Sequence, residues 1–86
     1  MHLSRVGTFE GYPIYISDID DKKYMAYVDG KFVHFGEKGM AQFHDKMGRY
    51  WEYDHNDNLR REMYYRRHRK NYGRGSADWF AKNILW

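Results

Sequence analysis

Cysteine is absent from this chain, which excludes a disulfide framework and a thiolate zinc site and removes thiol redox chemistry. That absence favours an intracellular setting. No stretch approaches the roughly 18 consecutive apolar residues of a membrane span. The start, Met1-His2-Leu3-Ser4-Arg5-Val6-Gly7, has no apolar core of the kind a secretion signal needs. A soluble protein without a membrane partner is expected. Proline occurs once, as Pro13, and leaves the rest of the chain free to form regular structure.

What is abundant is aromatic. Tyr at 9, Phe at 5 and Trp at 3 give an aromatic content of 20% in 86 residues. A chain this short folds as one domain, here residues 1–86, and buries only about 60% of its unfolded surface. Side chains that bury roughly 150–250 Å² each supply the packing that such a small core needs, and they argue against disorder.

Charge is segregated along the chain. Met1 to Asp45 holds five Lys/Arg against seven Asp/Glu, and Lys46 to Trp86 holds ten against five, so the halves carry −2 and +5. Between Arg60 and Arg74 the only acid is Glu62. This asymmetry is the clearest partner signal in the sequence.

Tyr12 to Ser17 is a β-branched and aromatic run with Pro13 near its start, as an edge strand tolerates. Asp18 to Lys22 is a polar turn. Lys23 to Val28 and Lys31 to Phe35 flank Asp29-Gly30, a pairing that predicts a hairpin with a type I′ turn. Phe32 and His34 then share one face, Val33 and Phe35 the other. Met40 to Tyr53 shows no clean period and reads as irregular, with a helical turn at most. After the N-cap candidates Asp54 to Asp57 the spacing predicts a helix over Asn58 to Asn71, with Leu59 and Met63 on one side and Tyr64, Tyr65, His68 and Tyr72 on another, both sides partly covered. Gly73 and Gly75 break it. Ser76 then caps a short terminal helix whose Trp79, Phe80, Ile84, Leu85 and Trp86 must dock, leaving Asp78 and Lys82 as a polar i,i+4 pair.

The residues that could carry catalysis lack the spacing for it. His34, His44, His55 and His68, with Asp45, Asp54 and Asp57, contain neither H-E-x-x-H nor H-x-H. A ββα-metal nuclease finger needs a loop and a strand between its first histidine and its helix, and here only Asn56 and Asp57 intervene. Asp18, Asp20 and Asp21 lack the glycine and closing glutamate of a calcium loop. Ser4, Ser17 and Ser76 sit in no nucleophile elbow, and Gly36 to Gly39 is too short for a phosphate-cradling loop. No cofactor, metal or catalytic activity is expected.

The basic helix remains. Arg60, Arg61, Arg66, Arg67, Arg69, Lys70 and Arg74 can neutralise phosphates, with Tyr64, Tyr65 and Tyr72 interleaved to stack on bases or brace guanidinium groups. The competing reading is a solvated helix face, since these arginines point in several directions on a helical wheel.

Two stretches also resemble a known family. Val28-Asp29-Gly30-Lys31-Phe32-Val33-His34-Phe35-Gly36-Glu37-Lys38-Gly39 resembles the V-D-G-K-x-V-H-F-G-x-K-G block of a small basic domain of unknown function found in large DNA viruses and tailed phages. His55-Asn56-Asp57, Arg60-Arg61-Glu62, Tyr64 and Arg66-Arg67-His68 resemble its second block, and Ser76, Trp79 and Leu85-Trp86 its ending. Asn58 stands where that family has proline, and Met40 to Asp54 is longer than its connector. The resemblance implies a viral or phage origin, with the protein inside the host cell or in the virion. It implies no mechanism.

The expected protein is an α+β domain, a small antiparallel β-meander followed by a basic helix and a short aromatic C-terminal helix. Its expected function is a non-enzymatic viral accessory role in contact with DNA or RNA. The alternatives are a virion structural protein meeting capsid surfaces and a small inhibitor that binds a host protein.

Overall fold

A computed structural model describes residues 3–86. Four strands, β1 (Arg5–Phe9), β2 (Tyr12–Ile16), β3 (Lys22–Val28) and β4 (Lys31–Glu37), form an antiparallel meander in the order β1-β2-β3-β4. A connector with one 3-10 turn at Trp51–Tyr53 leads to helix α1 (Asn58–Arg67). A short helix, α2 (Ala77–Phe80), then runs into a π-helical turn at Ala81–Leu85. The arrangement is α+β.

The predicted hairpin is present, with Asp29 at φ 48° and Gly30 at φ 83°, the two left-handed positions of a type I′ turn. Strand β1 was not expected. Gly7 and Thr8 spoil its alternation, and Glu10-Gly11, also left-handed at φ 47° and 88°, is a turn whose glutamate gives little warning.

Register sorts the side chains with the period of 2 that a pleat imposes. Ile14 pairs with Ala26, Tyr24 with Phe35 and Ala26 with Val33. All of these lie on the face covered by α2 and its π turn, where Phe80, Ile84 and Leu85 complete the core. Phe35 stacks on Phe80 at 5.3 Å and Tyr12 meets Phe80 edge-on at the same separation. The opposite face carries Tyr15, Tyr27, Phe32 and His34, and Phe32 lies 5.7 Å from Tyr15 and 5.2 Å from Tyr27.

Helix α1 is shorter than the Asn58 to Asn71 span the periodicity suggested. The His68 N–H makes the last helical bond, to the Tyr64 carbonyl, and the chain then leaves helical geometry at φ −113°, ψ 54°. The Lys82 ammonium captures the Lys70 carbonyl at 3.0 Å, drawing that segment toward α2. Of the two sides of α1 expected to be partly covered, that of Leu59 and Met63 is open, at 65% and 49% exposed, whereas Tyr64 and Tyr65 on the other are half-buried. Among the described residues no helix is long and apolar enough to cross a membrane.

Candidate nucleic-acid interface

Helix α1 begins where Asp57 caps it, its carboxylate accepting from the Leu59 and Arg60 N–H groups at 2.9 and 3.3 Å. None of its ten residues is buried, and its Cα atoms approach no other element within 8 Å. It is held by side chains. The Tyr64 ring lies on Trp86 at 4.2 Å and 3°, and on His68 at 4.1 Å and 24°. Two rings that close cannot share one face, so Tyr64 is sandwiched. Its burial pushes the phenol up to about 12. The Tyr65 hydroxyl donates to the Lys82 carbonyl at 2.9 Å, and Arg61 Nε donates to the Trp86 carbonyl at 2.6 Å.

The floor under this docking is polar and buried. The Lys23 ammonium, 1% exposed, donates to the Met40 carbonyl at 2.7 Å and to Gln42 Oε1. Burial pulls its pKa below the ordinary lysine value, and the fields of Asp45 and Asp54 push back. Gln42 Nε2 donates to Asp54 at 2.7 Å and to the Tyr50 carbonyl at 2.7 Å. Asp45 accepts from the Tyr24 hydroxyl at 2.5 Å and from the Tyr50 and Met47 N–H groups at 2.8 Å each. The His44 and Lys46 N–H groups in turn bond the Leu85 and Ile84 carbonyls, both at 3.0 Å. These contacts order the aperiodic connector and fix the C-terminal segment, which holds Trp86 against Tyr64. Buried groups bonded this fully specify one arrangement, because any slip leaves a polar atom unpaired.

The seven predicted cations divide. Arg61 is occupied by the Trp86 carbonyl and lies over the Phe43 and Tyr65 rings at 4.9 and 5.6 Å. Arg66 pairs with Glu62 at 2.8 Å. Arg74 pairs with Glu10 at 2.9 Å and covers Tyr12 and Trp79, which ties the β1–β2 turn to α2. Arg60, Arg67, Arg69 and Lys70 are exposed and, among the described residues, none has a carboxylate partner. Arg60 and Arg67, seven apart, rise on one face of α1, and Arg69 and Lys70 extend that charge past its end. Of the three tyrosines expected to stack, Tyr64 has both ring faces taken by Trp86 and His68, and Tyr65 is half-buried in the packing of α1. Tyr72 is 61% exposed, with the Lys70 ammonium 5.0 Å from its ring centre.

Sequence reading missed the role of Trp86, which docks the helix, and of His68, the outer ring of the pile. The spacing of Tyr64 and His68 at i,i+4 was the available signal. The remaining described histidines are dispersed. His34 Nδ1 is 2.8 Å from Ser17 Oγ, His44 Nδ1 is 3.0 Å from Asp54, and His55 Nδ1 accepts from the Asp57 N–H at 2.9 Å. Among the described residues no three His, Asp or Glu side chains converge as a metal would require. Beside a shallow groove along Asn58, Arg61, Glu62 and Tyr65, two others border α1. One, about 250 Å³, is lined by Gly36, Gln42, Tyr64, Arg67, Leu85 and Trp86. The other, open and about 510 Å³, lies between His68 and Arg69 on one side and Asp78 and Trp79 on the other. Comparison of the chain with protein-family models, with curated proteins and with solved structures finds no match.

Proposed function

We propose that this protein is a non-catalytic nucleic-acid-binding domain that contacts phosphates through Arg60, Arg67, Arg69 and Lys70. The observation that carries this reading is four exposed cations, without carboxylate partners among the described residues, on and just beyond a helix none of whose residues is buried. Arginine forks match phosphate geometry, and clustered positive charge with no internal counterion is satisfied by an external polyanion. The resemblance of Val28 to Gly39 to the viral and phage domain supports an accessory role in infected cells. Purified protein is expected to retain both DNA and RNA at about 50 mM salt with little sequence preference. Lack of retention of either would overturn the reading.

A protein partner, whether a capsid surface or a host protein, is the second reading. It is favoured by the outer sheet face, where Tyr27 and Phe32 are 43% and 38% exposed. Asp18, 3.9 Å from His34, adjoins that face and brings the acidic turn with it. Aromatic rings beside carboxylates suit a basic segment of a partner.

A further inference from the structure

We infer that His68 is a stacking platform for one unpaired nucleobase, so that the protein prefers single-stranded to duplex nucleic acid. This rests on the nucleic-acid reading and adds to it a base contact that phosphate binding does not require.

The geometry begins with Tyr64, whose two ring faces are taken by Trp86 and His68 at 4.2 and 4.1 Å. The pile is therefore three rings deep, anchored at Trp86 by the Arg61 bond to its carbonyl and by the His55 ring 5.3 Å away. Its far end is His68, which is exposed and whose ring nitrogens bond no described group. Helix α1 stops one residue before His68, so no further turn covers the imidazole. The helical bond from the His68 N–H to the Tyr64 carbonyl, 3.0 Å, holds the two rings in overlap before any ligand arrives. A ring already fixed in place loses little freedom when a fourth ring is added.

The surroundings suit a nucleotide. Arg67 lines the groove on one side of His68 and Arg69 the groove on the other, so guanidinium groups flank the platform where phosphates adjoining a stacked base would pass. The wider groove, about 510 Å³, has room for a base. Asn71 lies at its rim, with Oδ1 held by the Gly73 N–H at 2.8 Å and its amide N–H groups left to meet a base edge. A paired base inside a duplex has both faces covered by its neighbours, and extruding it costs free energy. An unpaired base offers a face at once.

The test uses the full chain and a roughly 12-nucleotide single-stranded DNA, fluorescein-labelled, beside the same sequence as a duplex. A second single strand carries 2-aminopurine, whose fluorescence falls on stacking. Wild type is expected to bind the single strand more tightly than the duplex and to quench 2-aminopurine. His68→Ala is expected to weaken single-strand binding about five- to 150-fold, to abolish quenching and to leave duplex affinity and the salt slope unchanged. His68→Phe restores the platform and is expected to bind as wild type does. Equal affinity for the two probes, or quenching that survives His68→Ala, overturns the inference and leaves the phosphate reading standing. Retention of neither probe at about 50 mM salt overturns both. Should His68→Ala fail to fold, wild-type quenching and His68→Phe decide the question without it.

Discussion

Gly30 and His55 show what single residues carry here. Gly30 sits at φ 83° with no atom near the place a Cβ would take, so its requirement is purely conformational. Gly30→Val is expected to cost about 1–3 kcal/mol, read as a lower urea midpoint, and an unchanged midpoint would remove the turn from the account. His55 lies between Phe43 and Trp86 and accepts the Asp57 N–H on Nδ1, so the neutral ring carries its proton on the buried Nε2, which has no partner among the described residues. Burial first, and the Arg60 charge second, hold its pKa below 6.5. The unfolded chain therefore binds the proton more tightly. The stability contributed by neutral His55 is full above about pH 6.5 and declines as pH falls, because protonating Nδ1 sets an N–H against the Asp57 N–H. Urea midpoints at about pH 7.5 and about pH 5 should converge for wild type and His55→Phe at the lower pH. A constant gap would refute the linkage.

Helix α1 and the sheet differ as elements. The inner face of the sheet is sealed by Phe80, Ile84 and Leu85, whereas α1 has no buried residue and depends on Tyr64, Tyr65 and Arg61 for its place. A ten-residue helix is marginal in water without such docking. Its amides are expected to exchange faster with solvent than those of β3, by an opening that leaves the sheet folded. Trp86→Ala, which removes the anchor of the pile, should accelerate exchange from Arg61 to His68 further and change β3 little. Equal protection in α1 and β3 would mean that the helix belongs to the cooperative core.

Across the whole molecule the charge segregation becomes a surface with one free side. Three of the seven cations are engaged internally, Arg66 and Arg74 paired with Glu62 and Glu10 and Arg61 hydrogen-bonded to the Trp86 carbonyl, which leaves four for an external anion. Four phosphate contacts predict a slope of log affinity against log salt of about −3 to −4. Arg60, Arg67 and Arg69 replaced together by Gln should flatten that slope to about −1 and keep the fold, while Arg66→Gln should leave it unchanged. A triple variant that keeps the full slope would place the contacts elsewhere.

The sequence by itself determined the strands that alternate and the turns that need left-handed backbone, because both are local properties of consecutive residues. Tyr12 to Ile16, the hairpin at Asp29-Gly30 and the caps Asp57 and Ser76 were legible for that reason. The segregation of charge was legible as well. Only the tertiary structure decided which arginines are spoken for, since Glu10 and Arg74 are 64 residues apart and Arg61 and Trp86 are 25 apart. It likewise decided the form of the connector from Met40 to Tyr53, whose order comes from the distant partners Lys23, Tyr24 and the Ile84 and Leu85 carbonyls rather than from any period of its own. The end of α1 belongs with these. Helix propensity continues past Arg67, but the capture of the Lys70 carbonyl by Lys82 draws the chain aside, and a long-range contact outweighs a local preference worth a few tenths of a kcal/mol per residue.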